Sequence, residues 1–347
     1  MNKPTIAAGF PKAFLDFACS RGVDRRRLME RAQISPDDIK EQDSRICLKN
    51  YVDLLKAGVE LSGEPALALL FGEAVSLPKI SIVGLIGAGV ENVEEGCRQM
   101  NHYLRLMLDD DEDDAAERIA LVKEKGNIWL KFVSSVYIEN PIMTESAFAR
   151  AVCGTRAMVA ASGISIDRPF PKAIHFTHQK PDYCAEYDRI FGVPLVFGSA
   201  SNGFLLDEQS LGFIPSPTNP YLSRILSDHA ETLLKNLENS KSVRGRVESL
   251  LMLMLPAGES SRDSVAKKLG VSRQTLFRQL KAEGTTFEKV LRELRWNLAL
   301  DYLYEKKLPV YETADLLGFS EPSAFSRAFK RWTGDSPRSA QTSKAYR

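Results

Sequence analysis

Arg278 and Arg327 stand 49 residues apart in matching surroundings: Leu276, Arg278, Leu280 and Lys281 align with Phe325, Arg327, Phe329 and Lys330. An arginine on an open helix face can fork the O6 and N7 acceptors of guanine, and a glutamine such as Gln274 can pair with adenine. Each such contact supplies ~1–3 kcal/mol of discrimination. Residues for bond-making chemistry are harder to find. The four histidines have no partner that spacing assigns, and His175 and His178, three apart on an expected strand, face opposite sides and do not share an ion. The five cysteines, Cys19, Cys47, Cys97, Cys153 and Cys184, include no C-x-x-C pair and read as small buried hydrophobes. Gly84-Leu85-Ile86-Gly87-Ala88-Gly89 has the wrong spacing and no lysine for a phosphate loop, so tight helix packing is expected instead. The six carboxylates at 109–114 lack the alternation and glycine of a calcium loop and, repelling one another, are expected in a solvated loop. No G-x-S-x-G or H-E-x-x-H occurs. An enzyme, a cofactor and a metal are therefore not expected.

The elements that carry the arginines form a tandem repeat. Ala266-Lys267-Lys268-Leu269-Gly270-Val271-Ser272 is echoed 48 residues on by Ala314-Asp315-Leu316-Leu317-Gly318-Phe319-Ser320, and Gly284 and Gly334 close the two units. Each unit predicts a short helix, a tight turn and a second helix opened by a serine cap. The alanine lets the helices cross closely, the glycine makes the turn, and Val271 or Phe319 plugs the gap. The free faces of the second helices carry Arg273, Gln274 and Arg278 in the first unit, and Glu321, Ser323, Ser326 and Arg327 in the second. Lys281 and Lys330, near the helix ends, are suited either to phosphates or to capping. Between the units, Phe287, Val290, Leu291, Leu294, Leu298 and Tyr302 predict one helix over 287–305. Nineteen residues at ~1.5 Å each give ~28 Å, near the ~34 Å between successive major-groove turns.

The remainder supplies the setting. A chain of 347 residues, 44% apolar and 26% charged, is neither disordered nor fibrous, and its length fits two domains. No apolar run approaches the ~18 residues needed to span a bilayer, and no signal peptide is read at the start, so a cytoplasmic protein is expected. Residues 242–347 hold 19 Lys and Arg against 12 Asp and Glu, whereas the rest is acidic on balance; a basic domain joined to an acidic one suits a nucleic-acid reader with a separate sensing part. Apolar spacing predicts helices through the first 70 residues, including one opened by Ser35-Pro36-Asp37-Asp38, and then over 90–108 and 142–162. Strands are predicted over 119–123 and 128–133, joined as a hairpin, over 173–177 and over 203–206. A helix over 183–191 and one over 220–238 with Leu222, Leu226, Leu233 and Leu237 in its stripe complete the pattern, and the polar stretch 238–242 reads as a linker. The expected fold is an α/β or α+β N-terminal domain, residues 1–240, for effector sensing and assembly, plus an all-α C-terminal domain, residues 241–347, with two helix-turn-helix units.

On these residues the segment 250–338 resembles the DNA-binding domain of AraC/XylS-type transcriptional regulators, most specifically through the stretch from Gly318-Phe319-Ser320-Glu321-Pro322 to Gly334-Asp335-Ser336-Pro337. Residues 10–210 resemble the arabinose-binding-type sensor region of the ornithine-regulator branch, through Tyr103-Leu104-Arg105-Leu106 and Tyr187-Asp188-Arg189-Ile190-Phe191-Gly192-Val193-Pro194. The resemblance implies base contacts from Gln274, Phe277 and Arg278 in the first unit and from Ser323 and Arg327 in the second. It places Arg273, Thr275, Ala324 and Lys330 nearer the phosphates. It also implies double-stranded promoter DNA, RNA polymerase, an unidentified small-molecule effector and a second copy of the chain as partners, and an activator role; the short apolar runs already leave no membrane partner expected. Thr313 stands where an aliphatic residue is usual, and Ala340-Gln341 replaces an aromatic-arginine pair; both touch packing of the second unit. The alternative is a small-molecule-binding or catalytic α/β protein with a helical tail for protein contacts.

Overall fold

The computed structural model describes residues 3–90, 92–110, 117–124, 126–161, 170–211 and 219–342. The chain forms two compact units, Met1–Leu234 and Lys235–Arg347.

The first unit is mixed α/β. Strands β1 (Thr5–Ala7), β2 (Arg45–Cys47) and β3 (Leu108–Asp109) make a small antiparallel sheet in the order β2-β1-β3, with Ile6 opposite both Ile46 and Leu108 and all three buried. The expectation of helices alone over the first 70 residues is corrected here. Strands of three residues are too short to show a period of two, so the helical spacing around them dominates the pattern. At Ser35-Pro36-Asp37-Asp38 the Asp38 carboxylate accepts from the Ser35 amide and hydroxyl at 2.7 Å, but the expected helix is only a single 3-10 turn, Asp37–Ile39, whose cap position, Pro36, makes no side-chain bond.

The second sheet has the order β4-β5-β8-β6-β7, built from β4 (Ile119–Glu124), β5 (Asn127–Phe132), β6 (Ala173–His175), β7 (Leu195–Val196) and β8 (Asn202–Leu206). The hairpin pairs Glu124 with Asn127 across Gly126, whose φ of 79° favours glycine; Lys125 lies outside the described residues. The long helix Pro141–Ala161 lays Phe148 on this sheet, its ring centroid 4.8 Å from Phe132 and 4.6 Å from Phe204. The helix Leu67–Ala74 crosses it so closely that a Cβ on Gly72 would lie 2.3 Å from the Ser146 carbonyl oxygen.

The acidic run departs from the solvated loop. Asp109 closes β3, and Asp109 and Asp110 are 7% and 8% exposed. Arg118 donates to Asp110 from Nε at 3.0 Å and Nη2 at 2.8 Å, Ser134 adds its hydroxyl at 2.9 Å, and Arg105 faces Asp109 at 3.4 Å. Paired charges with filled hydrogen bonds outweigh the repulsion that the bare run suggests. Residues 111–114 lie outside the described residues, as does residue 162 at the end of an expected helix.

The second unit is helical, with a main-chain path through Val243–Met254, Arg262–Lys268, Arg273–Ala282, Phe287–Leu300, Val310–Leu316 and Pro322–Thr333. The expected linker at 238–242 is instead the end of the helix Pro220–Lys241. The Ser240 hydroxyl returns a bond to the Leu237 carbonyl at 2.7 Å, and only Ser242 breaks the run, capping the next helix at the Gly245 amide, 2.9 Å away. A polar stretch need not be a loop when each residue tolerates helical backbone. The predicted rod is also present with one modification: α-helix runs over Phe287–Leu300 and then widens into a π turn at Asp301–Glu305. Two cores flank it, one mainly aliphatic (Val247, Leu251, Val265, Leu276, Leu280, Val290) and one in which the rings of Phe325 and Phe329 pack with Ala299, Leu303, Ala314 and Leu317.

Candidate nucleic-acid interface

In the first helix-turn-helix, Ser261 caps Arg262–Lys268 and Ser272 caps Arg273–Ala282, each serine oxygen accepting from the amide three residues on at 3.1 Å. Gly270, at φ 67°, turns the chain, and the Val271 amide donates back to the Ala266 carbonyl at 3.1 Å. Leu276 and Leu280 are buried, and this fixes which side of the second helix faces outward. Arg273, Gln274, Phe277, Arg278 and Lys281 are exposed and Thr275 is half-buried. Phe277, an aromatic ring held 47% open to solvent, has no place in the fold of the unit that would explain its exposure. Arg273 meets Asp263 at 3.5 Å, an open pair worth ~0–1 kcal/mol that does not tie it down. Gln274 and Arg278 have no side-chain hydrogen bond or ion pair among the described residues, so the helix-face salt bridge that would otherwise account for Arg278 is absent there.

The second helix-turn-helix reaches the same shape by other means. Gly318, at φ 68°, makes the turn and Phe319 returns its amide to the Ala314 carbonyl at 3.0 Å. The expected serine cap is corrected: Glu321 occupies the cap position without a side-chain bond, and Pro322 is the first helical residue. Proline lacks the N–H that a cap would satisfy and has its φ already set for helix. Phe325 and Phe329 are buried; Glu321, Ser323, Arg327 and Lys330 are exposed, and Ala324 and Ser326 half-buried. The Ser326 hydroxyl donates to the Pro322 carbonyl at 2.9 Å. Arg327 and Lys330 have no ion pair among the described residues, and neither Lys281 nor Lys330 caps a helix-end carbonyl there. Thr313 is fully buried and its hydroxyl has no partner among the described residues, a cost of ~1–3 kcal/mol that an aliphatic residue would spare.

One functional residue escaped the sequence reading. Arg295, on Phe287–Leu300, donates from Nε to the Leu317 carbonyl at 2.9 Å and from Nη2 to the Gly318 carbonyl at 3.1 Å and the Ser260 hydroxyl at 3.3 Å. Its guanidinium also lies 4.5 Å from the Phe319 ring centroid. Burial lowers its pKa. A Cβ on Gly318 would approach the Leu255 carbonyl oxygen to 2.5 Å, so the second turn sits directly against the end of the Val243–Met254 helix. The rod thus does more than space the two readers: its arginine clamps the turn of one to the segment leading into the other. The available signal was a lone cation within an otherwise apolar register between Leu291 and Leu298.

The other candidates resolve as structure. His175 Nδ1 is 3.0 Å from the Ser199 hydroxyl and His178 Nδ1 2.9 Å from the Gln179 carbonyl, and burial lowers both pKa values. A Cβ on Gly84 would meet the Leu77 carbonyl carbon at 2.4 Å, which accounts for that glycine by packing. The cysteines are half-buried rather than buried, and burial pushes the Cys97 thiol up to about 11, away from a reactive thiolate. Of the leucine stripe, Leu226, Leu233 and Leu237 are half-buried and Leu222 is 47% exposed, while the buried residues of that helix are Ala230 and Leu234. No group of three or more potential metal ligands occurs among the described residues, and no helix there is long and apolar enough to cross a membrane.

Paired helix-turn-helix units on a basic helical unit, beside a separate α/β unit, define a DNA-binding regulator. Residues 22–212 match the arabinose-binding domain of AraC transcription regulators, N-terminal, and residues 265–343 match a helix-turn-helix domain. The chain belongs to the AraC family of transcription regulators, which join an N-terminal ligand-binding domain to a C-terminal helix-turn-helix DNA-binding domain. It is similar to an ornithine utilization regulator of Pseudomonas aeruginosa, 28% identical over 96% of this chain and 95% of that protein. It is also similar to the transcriptional regulator VirS of Mycobacterium tuberculosis, 24% identical over 94% and 93% of the two chains. The crystal structure of the regulator CdpR from Pseudomonas aeruginosa aligns over 92% of this chain and 96% of its own, with 21% identity and a TM-score of 0.37.

Proposed function

We propose that this regulator reads double-stranded promoter DNA with both recognition helices at once. Gln274, Phe277 and Arg278 contact bases in one major-groove turn, and Ser323 and Arg327 contact bases in the next. Arg273, Thr275, Lys281, Ala324 and Lys330 face the phosphates, and Glu321 and Ser326 border the second groove. The observation that carries this reading is the pair Arg278 and Arg327: both exposed, both at the same place in their units, and neither engaged by a carboxylate among the described residues. A small-molecule effector bound in the first unit shifts the population toward the DNA-competent arrangement. The chain acts in the cytoplasm as an activator through RNA polymerase, with no catalytic step. It works as a homodimer, a reading supported by Tyr221, Leu222 and Ile225, exposed together on one helix.

The test selects duplexes from a random pool with the full chain, then measures affinity at fixed salt. Arg278→Ala and Arg327→Ala are each expected to cost ~1–3 kcal/mol, about 5- to 150-fold, and to relax one base preference apiece. Unchanged affinities and footprints would reject the assignment, and sedimentation of the selected complex as a monomer would reject the dimer.

A further inference from the structure

The first unit holds a partly open cavity of about 20 Å³, roughly the room of a single water, between β1, the helices Gly9–Ser20 and Leu48–Ser62, and the helix Pro141–Ala161. Its wall is apolar, from Ile6, Phe10, Met107 and Met143 among others, except at Arg150, Tyr51, Tyr137 and Ser146. Three other inner arginines of this unit are held by several acceptors each. Arg118 is held by Asp110, Arg45 by the Leu106 and Thr5 carbonyls at 2.6 and 2.9 Å, and Arg156 by the carbonyls of Phe170, Ile190 and Phe191.

Arg150 has fewer acceptors. Its one hydrogen bond among the described residues is a long one to the Ser146 hydroxyl, 3.4 Å away, and its guanidinium lies 5.1 Å from the Phe10 ring centroid. No carboxylate pairs with it among the described residues, and the polar groups that bear on it are the Tyr51 and Tyr137 hydroxyls. Burial lowers its pKa and raises those of both tyrosines, so the site holds a cation in surroundings that resist charge. Arg150 is half-buried and faces no carboxylate among the described residues, and the planar fork of arginine matches a carboxylate oxygen for oxygen.

We infer that this cavity receives the carboxylate of the effector, with Arg150 as its bidentate partner and the Tyr51 and Tyr137 hydroxyls as flanking donors. The inference rests on the reading of the first unit as the effector-sensing domain and adds the ligand's class: a small organic acid with an apolar stem. The lining offers no acidic side chain to receive an ammonium, which separates a simple carboxylic acid from an amino acid. The stem needs more space than one water occupies. Met107 and Met143, long and unbranched, are the side chains in the wall most able to yield it. Met107 directly precedes β3, so seating a ligand there moves the edge of the small sheet, a route from occupancy to conformation.

The experiment measures thermal unfolding of the full chain with straight-chain and aromatic monocarboxylates, with the corresponding primary amides, and with amino acids of similar size. A fitting carboxylate at 100-fold excess over its Kd is expected to raise the melting temperature by roughly 5 °C or more, and the amides and amino acids are not. Arg150→Gln should abolish the shift while melting, unliganded, no lower than the wild type, since it removes an unpaired charge. Tyr137→Phe, which keeps the ring, should weaken the carboxylate several-fold without abolishing it. A wild type that ignores every carboxylate overturns the site, as does a shift that survives Arg150→Gln. If amides or amines shift the wild type and Arg150→Gln alike, the site fails and the sensing reading stands. If carboxylates shift the wild type alone but leave DNA affinity untouched, the site stands and the sensing reading fails.

Discussion

The two helix-turn-helix units share a path but not a means of support. The first is capped by side chains, Ser261 and Ser272, and filled with branched aliphatics. The second has no side-chain cap at its recognition helix, starts it with Pro322, and sets the rings of Phe325, Phe329, Phe319 and Trp332 among Leu303, Leu317 and two alanines. Caps act locally and cost little to lose, whereas a small aromatic core concentrates its stability in a few large side chains. The first unit is thus built to tolerate single losses and the second is not. Arg295 fastens the second to the segment that precedes the first, so the weaker-capped reader borrows rigidity from its neighbour.

The largest expected effect tests the aromatic core. Phe325→Ala should cost ~3–5 kcal/mol in denaturant unfolding and erase protection over one half of the DNA footprint while the other half persists. Simultaneous loss of both halves would show that the units do not fail separately. Next comes Arg295→Gln, which removes the charge-assisted bonds to the Leu317 and Gly318 carbonyls and should cost about 2 kcal/mol. It should also let the protein accept half-sites moved apart or together by one base pair, and an unchanged spacing preference would remove the clamp from the account. The smallest effect is at the caps. Ser272→Ala should cost ~1 kcal/mol, and Glu321→Ala should stay within ~0.5 kcal/mol. Equal losses at the two positions would erase the distinction between the units.

The reading of the second unit from sequence was strong because a repeat supplies its own control: the same Ala, Gly and aliphatic or aromatic spacing, twice, constrains what each copy can be. Exposure of Arg278 and Arg327 then followed from burial of Leu276, Leu280, Phe325 and Phe329 on the opposite faces. What stayed hidden depends on distance along the chain. Strands β1 to β3 join residues near 6, 46 and 108, and no local pattern of three residues announces such pairing. Asp110 looked like one member of a repelling run until Arg118 and Ser134 closed on it. Local spacing gives Arg295 and Arg150 no distinction as helix cations, and their significance lies in what surrounds them: backbone carbonyls for one, a small cavity for the other.

Gly318 and Arg295 hold the second turn against Leu255 and the spacer helix, whose 14 α-helical residues give ~21 Å before the π turn, short of the ~34 Å repeat of straight B-form DNA. A ruler that is too short passes the discrepancy to the more elastic body. Under the proposed two-groove reading the duplex would curve toward the protein to present both grooves at once, at a cost of ~1–6 kcal/mol that depends on how easily its untouched central base steps yield. Sequence preference would then extend to base pairs that no side chain reaches.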